Sequence, residues 1–136
     1  MIAVALDTNA YSDAKLGLPD AVAIVRSVDV IGVPVVVLGE ILAGFLAGKR
    51  GRTNREELDR FLRTPRVRVL TADADTADRY AEIWRALRAR GRPIPTNDLW
   101  IAALAIQHGF RLFTRDAHFT EVVGLRIVTS AADLVD

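Results

Sequence analysis

Short apolar runs alternate with longer, helix-patterned segments along this chain. The runs occupy 2–6, 30–33, 67–70 and 111–114, with a last short one at 125–128. Unbroken apolar runs of this length are typical of strands buried on both faces of a parallel sheet. The alternation predicts an α/β fold, a central parallel sheet of about four to five strands with helices on both faces.

The segments between the runs carry helix start and stop signals. A short helix or loop is predicted at 11–18, and helices at 19–27 and 35–47, where Pro19 and Pro34 suit the first turn. A mobile basic loop should follow Gly48 and lead to a helix at 54–62, capped by Thr53. The next helix should run from about Asp73 to Arg90 with these residues inward: Ala77, Tyr80, Ala81, Trp84 and Leu87. Thr96 should cap a further helix that ends at Gly109, and a helical tail should begin at Ser130.

Composition limits the class of protein. With 136 residues we expect one domain, 1–136, that is large enough for a real core. The chain has no cysteine, which excludes a disulfide scaffold and a thiolate metal site and fits a cytoplasmic protein. The apolar stretch 30–48 has the length of a membrane span, but Pro34 and internal glycines interrupt it and Glu40 lies at its middle. A buried strand followed by a helix explains that stretch better than a membrane span does.

Four acids stand at comparable places in the predicted pattern. Asp7 and Asp116 each follow an apolar run, Glu40 lies in the helix after the second run, and Asp98 lies in the first turn of its helix. In a parallel sheet with right-handed crossovers, these positions converge at the carboxyl edge of the strands. Two carboxylates about 5 Å apart repel by roughly 3 kcal/mol at an effective dielectric constant of 20. Mg²⁺ or Mn²⁺ is the natural counter-ion for such a group, although Asp7 could also serve simply as a helix N-cap.

At these positions the sequence resembles the PIN domain family, and within it the VapC toxins of bacterial toxin–antitoxin pairs. The resemblance rests on the stretches 6–9, 38–44, 95–103 and 112–119, which contain the four acids in order. It implies that Asp7, Glu40, Asp98 and Asp116 form a catalytic acidic quartet that binds Mg²⁺ or Mn²⁺. It further implies that four polar residues support that quartet: Thr8, Asn9, Asn97 and Thr114.

The resemblance also implies an activity and partners. The expected activity is a Mg²⁺-dependent endoribonuclease toxin that hydrolyses tRNA or another structured RNA. The expected partners are a cognate VapB-like antitoxin, whose tail covers the acidic cleft, and a second copy of the chain in a homodimer. A divalent ion held by carboxylates lowers the pKa of a water and stabilises a leaving oxygen, which agrees with phosphodiester hydrolysis.

Other residues have weaker signals. The basic end of the long helix could supply phosphate contacts to RNA, although cations there also complement the helix dipole; its members are Arg85, Arg88, Arg90 and Arg92. His108, at a helix end, and His118, beside Phe119, are interpreted as structural residues.

Two other functions stay open from the residues. A phosphatase or phosphoacceptor domain would use Asp7 or Asp116 as nucleophile, but such sites usually add a lysine after a late strand. Neither Lys15 nor Lys49 has that position. A catalytically inactive PIN module that only binds RNA or protein is the second alternative, and an intact quartet argues against it.

Overall fold

The computed structural model describes residues 1–135, and it contains a single parallel sheet of five strands. The strands are β1 (Ala3–Leu6), β2 (Val30–Pro34), β3 (Val67–Leu70), β4 (Arg111–Phe113) and β5 (Ile127–Val128), and they lie side by side in the order β3-β2-β1-β4-β5. All four strand pairs are parallel. This confirms the predicted fold class.

Six helices cover the sheet. They are α1 (Thr8–Lys15), α2 (Pro19–Ser27), α3 (Val35–Ala47), α4 (Gly51–Leu62), α5 (Ala74–Ala89) and α6 (Thr96–His108). The chain steps outward from β1 to β2 and β3, then returns past β1 to β4. Because crossovers between parallel strands are right-handed, α1–α4 and α5–α6 lie on opposite faces. Two 3-10 turns, Ala117–Glu121 and Ala131–Asp133, complete the chain.

The middle of the sheet is the core of the molecule. Val4, Ala5 and Leu6 of β1 are buried, and every residue of β2 is buried as well. These strands have no polar face, because helices cover both sides of a parallel sheet. The apolar runs 30–33 and 67–70 are therefore strands, as predicted.

Capping explains where several helices begin and end. Asp7 caps α1, so that helix begins at Thr8, earlier than the predicted 11–18 segment. Asp73 forms a capping box with Thr76 at the start of α5. Gly109 ends α6 in the left-handed conformation with φ 75°, as predicted.

Two predicted helix starts were wrong. The basic segment after Gly48 is not a loop as far as Arg55, because α4 already begins at Gly51 and includes Thr53. Thr96 is the first residue of α6 rather than its cap, since Pro95 occupies the capping position without a side-chain hydrogen bond. Both helices therefore begin earlier than predicted, at positions whose capping residues, Arg50 and Pro95, make no side-chain cap hydrogen bond.

The predicted inner face of α5 was also partly wrong. Ala77, Ala81 and Trp84 are exposed, whereas Ile83 and Leu87 are buried together with Thr76. The helix is thus rotated relative to the prediction. Thr76 faces inward, where its hydroxyl donates to the side-chain oxygen of Gln107 of α6, a contact that the apolar periodicity of α5 does not reveal.

The last segments are shorter than predicted. The strand expected at 125–128 contains only Ile127 and Val128, and the helical tail from Ser130 is the 3-10 turn Ala131–Asp133. The apolar stretch 30–48 is divided between β2 and α3. Within residues 1–135, none of the helices combines the length and the apolar character needed to cross a membrane.

Gly32 in β2 offers a direct test of sheet packing. A Cβ atom at Gly32 would lie 2.9 Å from Leu70 Cδ1 and 2.9 Å from the ring of Phe110. We expect Gly32→Ala to lower the free energy of unfolding by about 1–3 kcal/mol, because the Phe110 ring must move. Urea denaturation measures this change.

Gly39→Ala in α3 is the matched control, since a Cβ there meets nothing within 4 Å. Alanine is a better helix former than glycine by about 1 kcal/mol, so this variant should be as stable as the wild type or more stable. Equal losses in the two variants would contradict the packing argument.

Candidate functional site

Asp7 follows β1 at the carboxyl edge of the sheet and is 5% exposed. Its Oδ1 accepts a hydrogen bond from the backbone N–H of Ala10 at 2.8 Å, which caps α1. Its Oδ2 accepts from the hydroxyl of Thr114 at 2.5 Å. Asp7 is therefore an N-cap and, at the same time, a carboxylate held from a second strand.

Thr114 joins the two acids that follow strands. It comes directly after β4, which pairs with β1 through Leu6 and Phe113. The Thr114 hydroxyl donates to Asp7 and accepts from the backbone N–H of Asp116 at 2.9 Å. One buried hydroxyl thus fixes the position of Asp116 relative to Asp7, and the register of the strand pair sets both.

Asp98 and Asp116 approach each other across His118. The Nδ1 atom of His118 lies 3.0 Å from Asp116 Oδ1 and 3.4 Å from Asp98 Oδ2. The three residues offer ligand atoms that all lie within 4.8 Å of one another. Asp98 reaches this place because α6 begins here, and its first turn holds the carboxylate.

Glu40 lies on α3 and is held by neutral donors. Its Oε1 accepts from the Thr8 hydroxyl at 2.8 Å, and its Oε2 accepts from the side-chain amide of Asn97 at 3.4 Å. Asn9 is exposed on α1 and makes no side-chain hydrogen bond within residues 1–135.

Electrostatic interactions connect all four carboxylates. Burial raises the pKa of Asp7, and Asp116 raises it further, whereas hydrogen bonds from Thr114 and Ala10 and the charge of Arg115 lower it. Burial also raises the pKa of Asp98, to which Asp116 and Glu40 add, while His118 acts in the opposite direction. The repulsion runs from Asp7 through Asp116 and Asp98 to Glu40, so the four side chains form one acidic cluster.

His118 is the residue that the sequence interpretation missed. It was considered structural, yet its imidazole lies between two acids of the acidic cluster and is about half exposed. The one sequence feature that could have indicated this is that His118 lies two residues after Asp116, in the turn that follows β4. His108 does have a structural contact, since its Nε2 lies 3.2 Å from the backbone oxygen of Thr71.

The comparisons with known proteins agree with this geometry. A PIN domain family model matches residues 4–125. The chain is 31% identical over 133 residues to plasmid stability protein StbB of Pseudomonas syringae pv. tomato, covering 92% of this chain and 96% of that protein. The chain belongs to the PIN domain family. It is also 30% identical over 133 residues to VapC ribonuclease Y4jK of Sinorhizobium fredii, covering 92% and 95% of the two chains.

A solved structure shows the same PIN fold. The chain superposes with a TM-score of 0.83 and 26% identity on a chain in the crystal structure of VapBC2 from Rickettsia felis bound to a DNA fragment from their promoter. The match covers 93% of this chain and 98% of that chain. All four acids of the cluster lie inside the segment 4–125 that the PIN domain model matches.

The four arginines of the predicted basic group lie at the end of α5 or just beyond it. Arg90 donates a hydrogen bond to the backbone oxygen of Glu121, in the 3-10 turn that follows Asp116. The guanidinium of Arg88 lies over the ring of Trp84, 4.9 Å from its centroid. Arg85 and Arg92 are exposed. Arg90 thus links the end of α5 to the turn after Asp116, and contact of these four arginines with RNA stays a prediction.

The pKa of Asp98 predicts how pH affects stability when no divalent ion is present. Because folding raises this pKa above its ordinary 3.8, the folded state disfavours the charged carboxylate. The penalty is absent below the ordinary pKa and grows as the pH rises through the raised one. Asp98→Asn should therefore raise the melting temperature by a few degrees at pH 7 in EDTA, and should change it little near pH 3.5.

Asp78→Asn is the control, because Asp78 is exposed on α5 and is not a member of the acidic cluster. It should leave the melting temperature unchanged at both pH values. Thermal unfolding followed by circular dichroism measures the difference. An Asp98→Asn variant that is less stable than wild type at pH 7 would contradict the repulsion argument.

Proposed function

We propose that this chain is a divalent-cation-dependent endoribonuclease and the toxin of a VapBC toxin–antitoxin pair. The observation that carries the proposal is the acidic cluster, in which Asp98, Asp116 and His118 offer ligand atoms within 4.8 Å of one another. Burial raises the pKa values of Asp7 and Asp98, and acids with raised pKa values at the carboxyl edge of a parallel sheet are expected at a functional site. The relative from Sinorhizobium fredii is named a VapC ribonuclease, which supports the reaction class.

The donor set of the acidic cluster fits Mg²⁺ or Mn²⁺. Carboxylate oxygens are the ligands that these hard cations prefer, and Asp7, Glu40, Asp98 and Asp116 would supply them. The positive charge would also relieve the repulsion that raises the pKa values of Asp7 and Asp98. A bound ion of this kind activates a water for attack on a phosphodiester and stabilises the oxygen that leaves.

The chain's own residues orient the carboxylates for this role. The Thr114 hydroxyl directs Asp7 Oδ2, and the Thr8 hydroxyl directs Glu40 Oε1. Asn97 holds the second oxygen of Glu40 from the first turn of α6. These hydrogen bonds fix which oxygens face the ion, which is the usual task of residues behind a metal ligand set. Asn9, beside Thr8 and exposed on α1, is proposed as a supporting residue on the resemblance alone.

The substrate we propose is a structured RNA such as tRNA. Such a substrate needs cations beside an acidic cleft, because the acids themselves repel phosphate. The arginines at the end of α5 are our candidates, because Arg90 contacts Glu121 in the 3-10 turn that follows Asp116. Exposed Trp84, 45% accessible, adds a surface on which a base could stack.

The partners we propose are a VapB-like antitoxin and a second copy of the chain. The solved complex from Rickettsia felis is a VapBC structure, which supports an antitoxin partner.

The phosphatase or phosphoacceptor alternative has little support. Asp7 is only 5% exposed, which makes in-line attack on a phosphoryl donor difficult. Lys15 is ion-paired with Glu57, and Lys49 lies between α3 and α4, so neither is placed beside the acids. The inactive-module alternative would leave four mutually repelling acids together without a function to maintain them.

The central test is metal-dependent cleavage of RNA. We expect the purified chain to cleave total RNA with Mg²⁺ or Mn²⁺ and not in EDTA. Asp98→Asn should reduce the rate by at least about 100-fold, because it removes one ligand of the ion. Asp78→Asn should cleave at the wild-type rate, since Asp78 is exposed on α5 outside the acidic cluster.

Sequencing of RNA ends would identify the cleavage sites, and isothermal titration with Mn²⁺ would show whether Asp98→Asn lost the ion. Metal-independent cleavage, or full activity of Asp98→Asn, would overturn the proposed reaction. A phosphorylated aspartate trapped after incubation with a phosphodonor would favour the phosphoacceptor alternative instead.

The arginines of α5 make a second test. Arg88→Ala or Arg92→Ala should weaken RNA binding several-fold and reduce the slope of log K against log salt by about 0.7–0.9 for each lost phosphate contact. Binding is measured by fluorescence anisotropy with labelled bulk tRNA on the Asp98→Asn background. An unchanged salt slope would remove that arginine from the RNA-binding set.

A further inference from the structure

Arg115 is the cation nearest in sequence to the acidic cluster, and its environment is unusual. It lies between Thr114, which holds Asp7, and Asp116. Its side chain is 65% exposed, yet it is held by a two-bond contact to a single carboxylate. Its charge lowers the pKa of Asp7, which places the guanidinium within electrostatic reach of the acidic cluster.

The carboxylate that holds Arg115 is Asp13 of α1. Asp13 is only 9% exposed, so it is a nearly buried acid. Arg115 Nε donates to Asp13 Oδ2 at 3.0 Å and Arg115 Nη2 donates to Asp13 Oδ1 at 3.3 Å. A flexible arginine is thereby fixed in one orientation, because two parallel hydrogen bonds define the plane of the guanidinium.

This contact leaves most of the guanidinium free. Of its five N–H groups, the bonds to Asp13 use one on Nε and one on Nη2. Within residues 1–135 no protein acceptor takes the remaining N–H groups, which belong to Nη1 and Nη2. An oriented, exposed guanidinium with free donors beside an acidic cluster is suited to bind an anion of planar or tetrahedral geometry.

We propose that Arg115, held in place by Asp13, is a phosphate-binding subsite that receives an RNA backbone phosphate next to the bond being cleaved. The proposal rests on the proposed function, because an RNA lying across the acidic cluster brings phosphates to both sides of it. The acids repel the phosphates of the RNA backbone, so a fixed cation beside the acidic cluster is needed to hold the RNA in one position relative to the acids. Asp13 is the positioning residue, and the free N–H groups of Arg115 make the contact.

A simpler role for Arg115 is to neutralise buried Asp13 and stabilise the fold. That role predicts a loss of stability in Arg115→Ala, because Asp13 would be left buried without its partner. It predicts no change in RNA binding once stability is restored. The double variant Asp13→Asn/Arg115→Ala separates the two roles, because it removes the unpaired charge together with the arginine.

The experiment measures binding of fluorescein-labelled bulk tRNA by anisotropy, in EDTA, on the Asp98→Asn background. We expect Arg115→Ala to bind about 5- to 10-fold more weakly, with a salt slope smaller by about 0.7–0.9. The double variant should show the same loss while its melting temperature recovers toward that of Asp98→Asn. Arg115→Lys should keep the salt slope but regain only part of the affinity, because an ammonium cannot make the paired contact.

Arg26→Ala is the matched control. Arg26 is an exposed arginine in the last turn of α2, just before β2, at the edge of the sheet opposite the acids. It should leave affinity and salt slope unchanged. Equal binding losses in Arg26→Ala and Arg115→Ala would overturn the subsite, since the effect would then come from net charge alone.

Cleavage by the otherwise wild-type chain distinguishes this inference from the proposed function. If the wild type cleaves RNA and Arg115→Ala cleaves with the same KM and the same salt slope in binding, the subsite is wrong and the nuclease stands. If the wild type does not cleave but Arg115→Ala loses tRNA binding as expected, the phosphate subsite stands and the nuclease is wrong. Absence of any tRNA binding by the Asp98→Asn chain would overturn the subsite directly.

Discussion

Mutual repulsion among carboxylates is the constraint on which the functional edge of this PIN domain depends. Asp116 interacts unfavourably with both Asp7 and Asp98, and Glu40 adds to the repulsion at Asp98. Left alone, these side chains would separate or take up protons. Neutral donors from the chain keep them together instead, since Thr114, Thr8 and Asn97 each give a hydrogen bond to one of the acids. The arrangement costs stability in the free protein and creates a strong demand for a cation.

The same residues serve the fold and the acidic cluster at once. Asp7 caps α1 with one oxygen and accepts the Thr114 hydroxyl with the other, so a structural role does not exclude the role we propose for it in the acidic cluster. Thr114 likewise continues β4 and joins two acids. Because the strand pairing of β1 with β4 fixes these atoms, the geometry of the acidic cluster follows from sheet register rather than from flexible loops. A change that slips the register would move Asp7 and Asp116 apart.

Much of the architecture was predictable because parallel strands and apolar helices leave strong local patterns. The segments 19–27, 35–47 and 67–70 were predicted with the bounds that the structure has. The predictions were wrong about the starts of two helices and about which face of another helix is buried. α4 begins earlier than its capping pattern, and α5 turns Thr76 inward for Gln107 while Trp84 stays outside. His118 was interpreted as structural because its position two residues after an acid fits a structural and a site residue equally well. Only the contacts of its ring with Asp98 and Asp116 distinguish the two.

The sequence by itself determined which acids stand after strands and at helix starts, and therefore that they share one edge of a parallel sheet. That follows from chain direction alone, since right-handed crossovers return every strand the same way. Only the tertiary structure decided which oxygens are directed by Thr114, Thr8 and Asn97, and that Arg115 is fixed by Asp13, 102 residues away along the chain. Such contacts depend on side-chain rotamers and on packing between distant segments, and neither is encoded in the spacing of residue types.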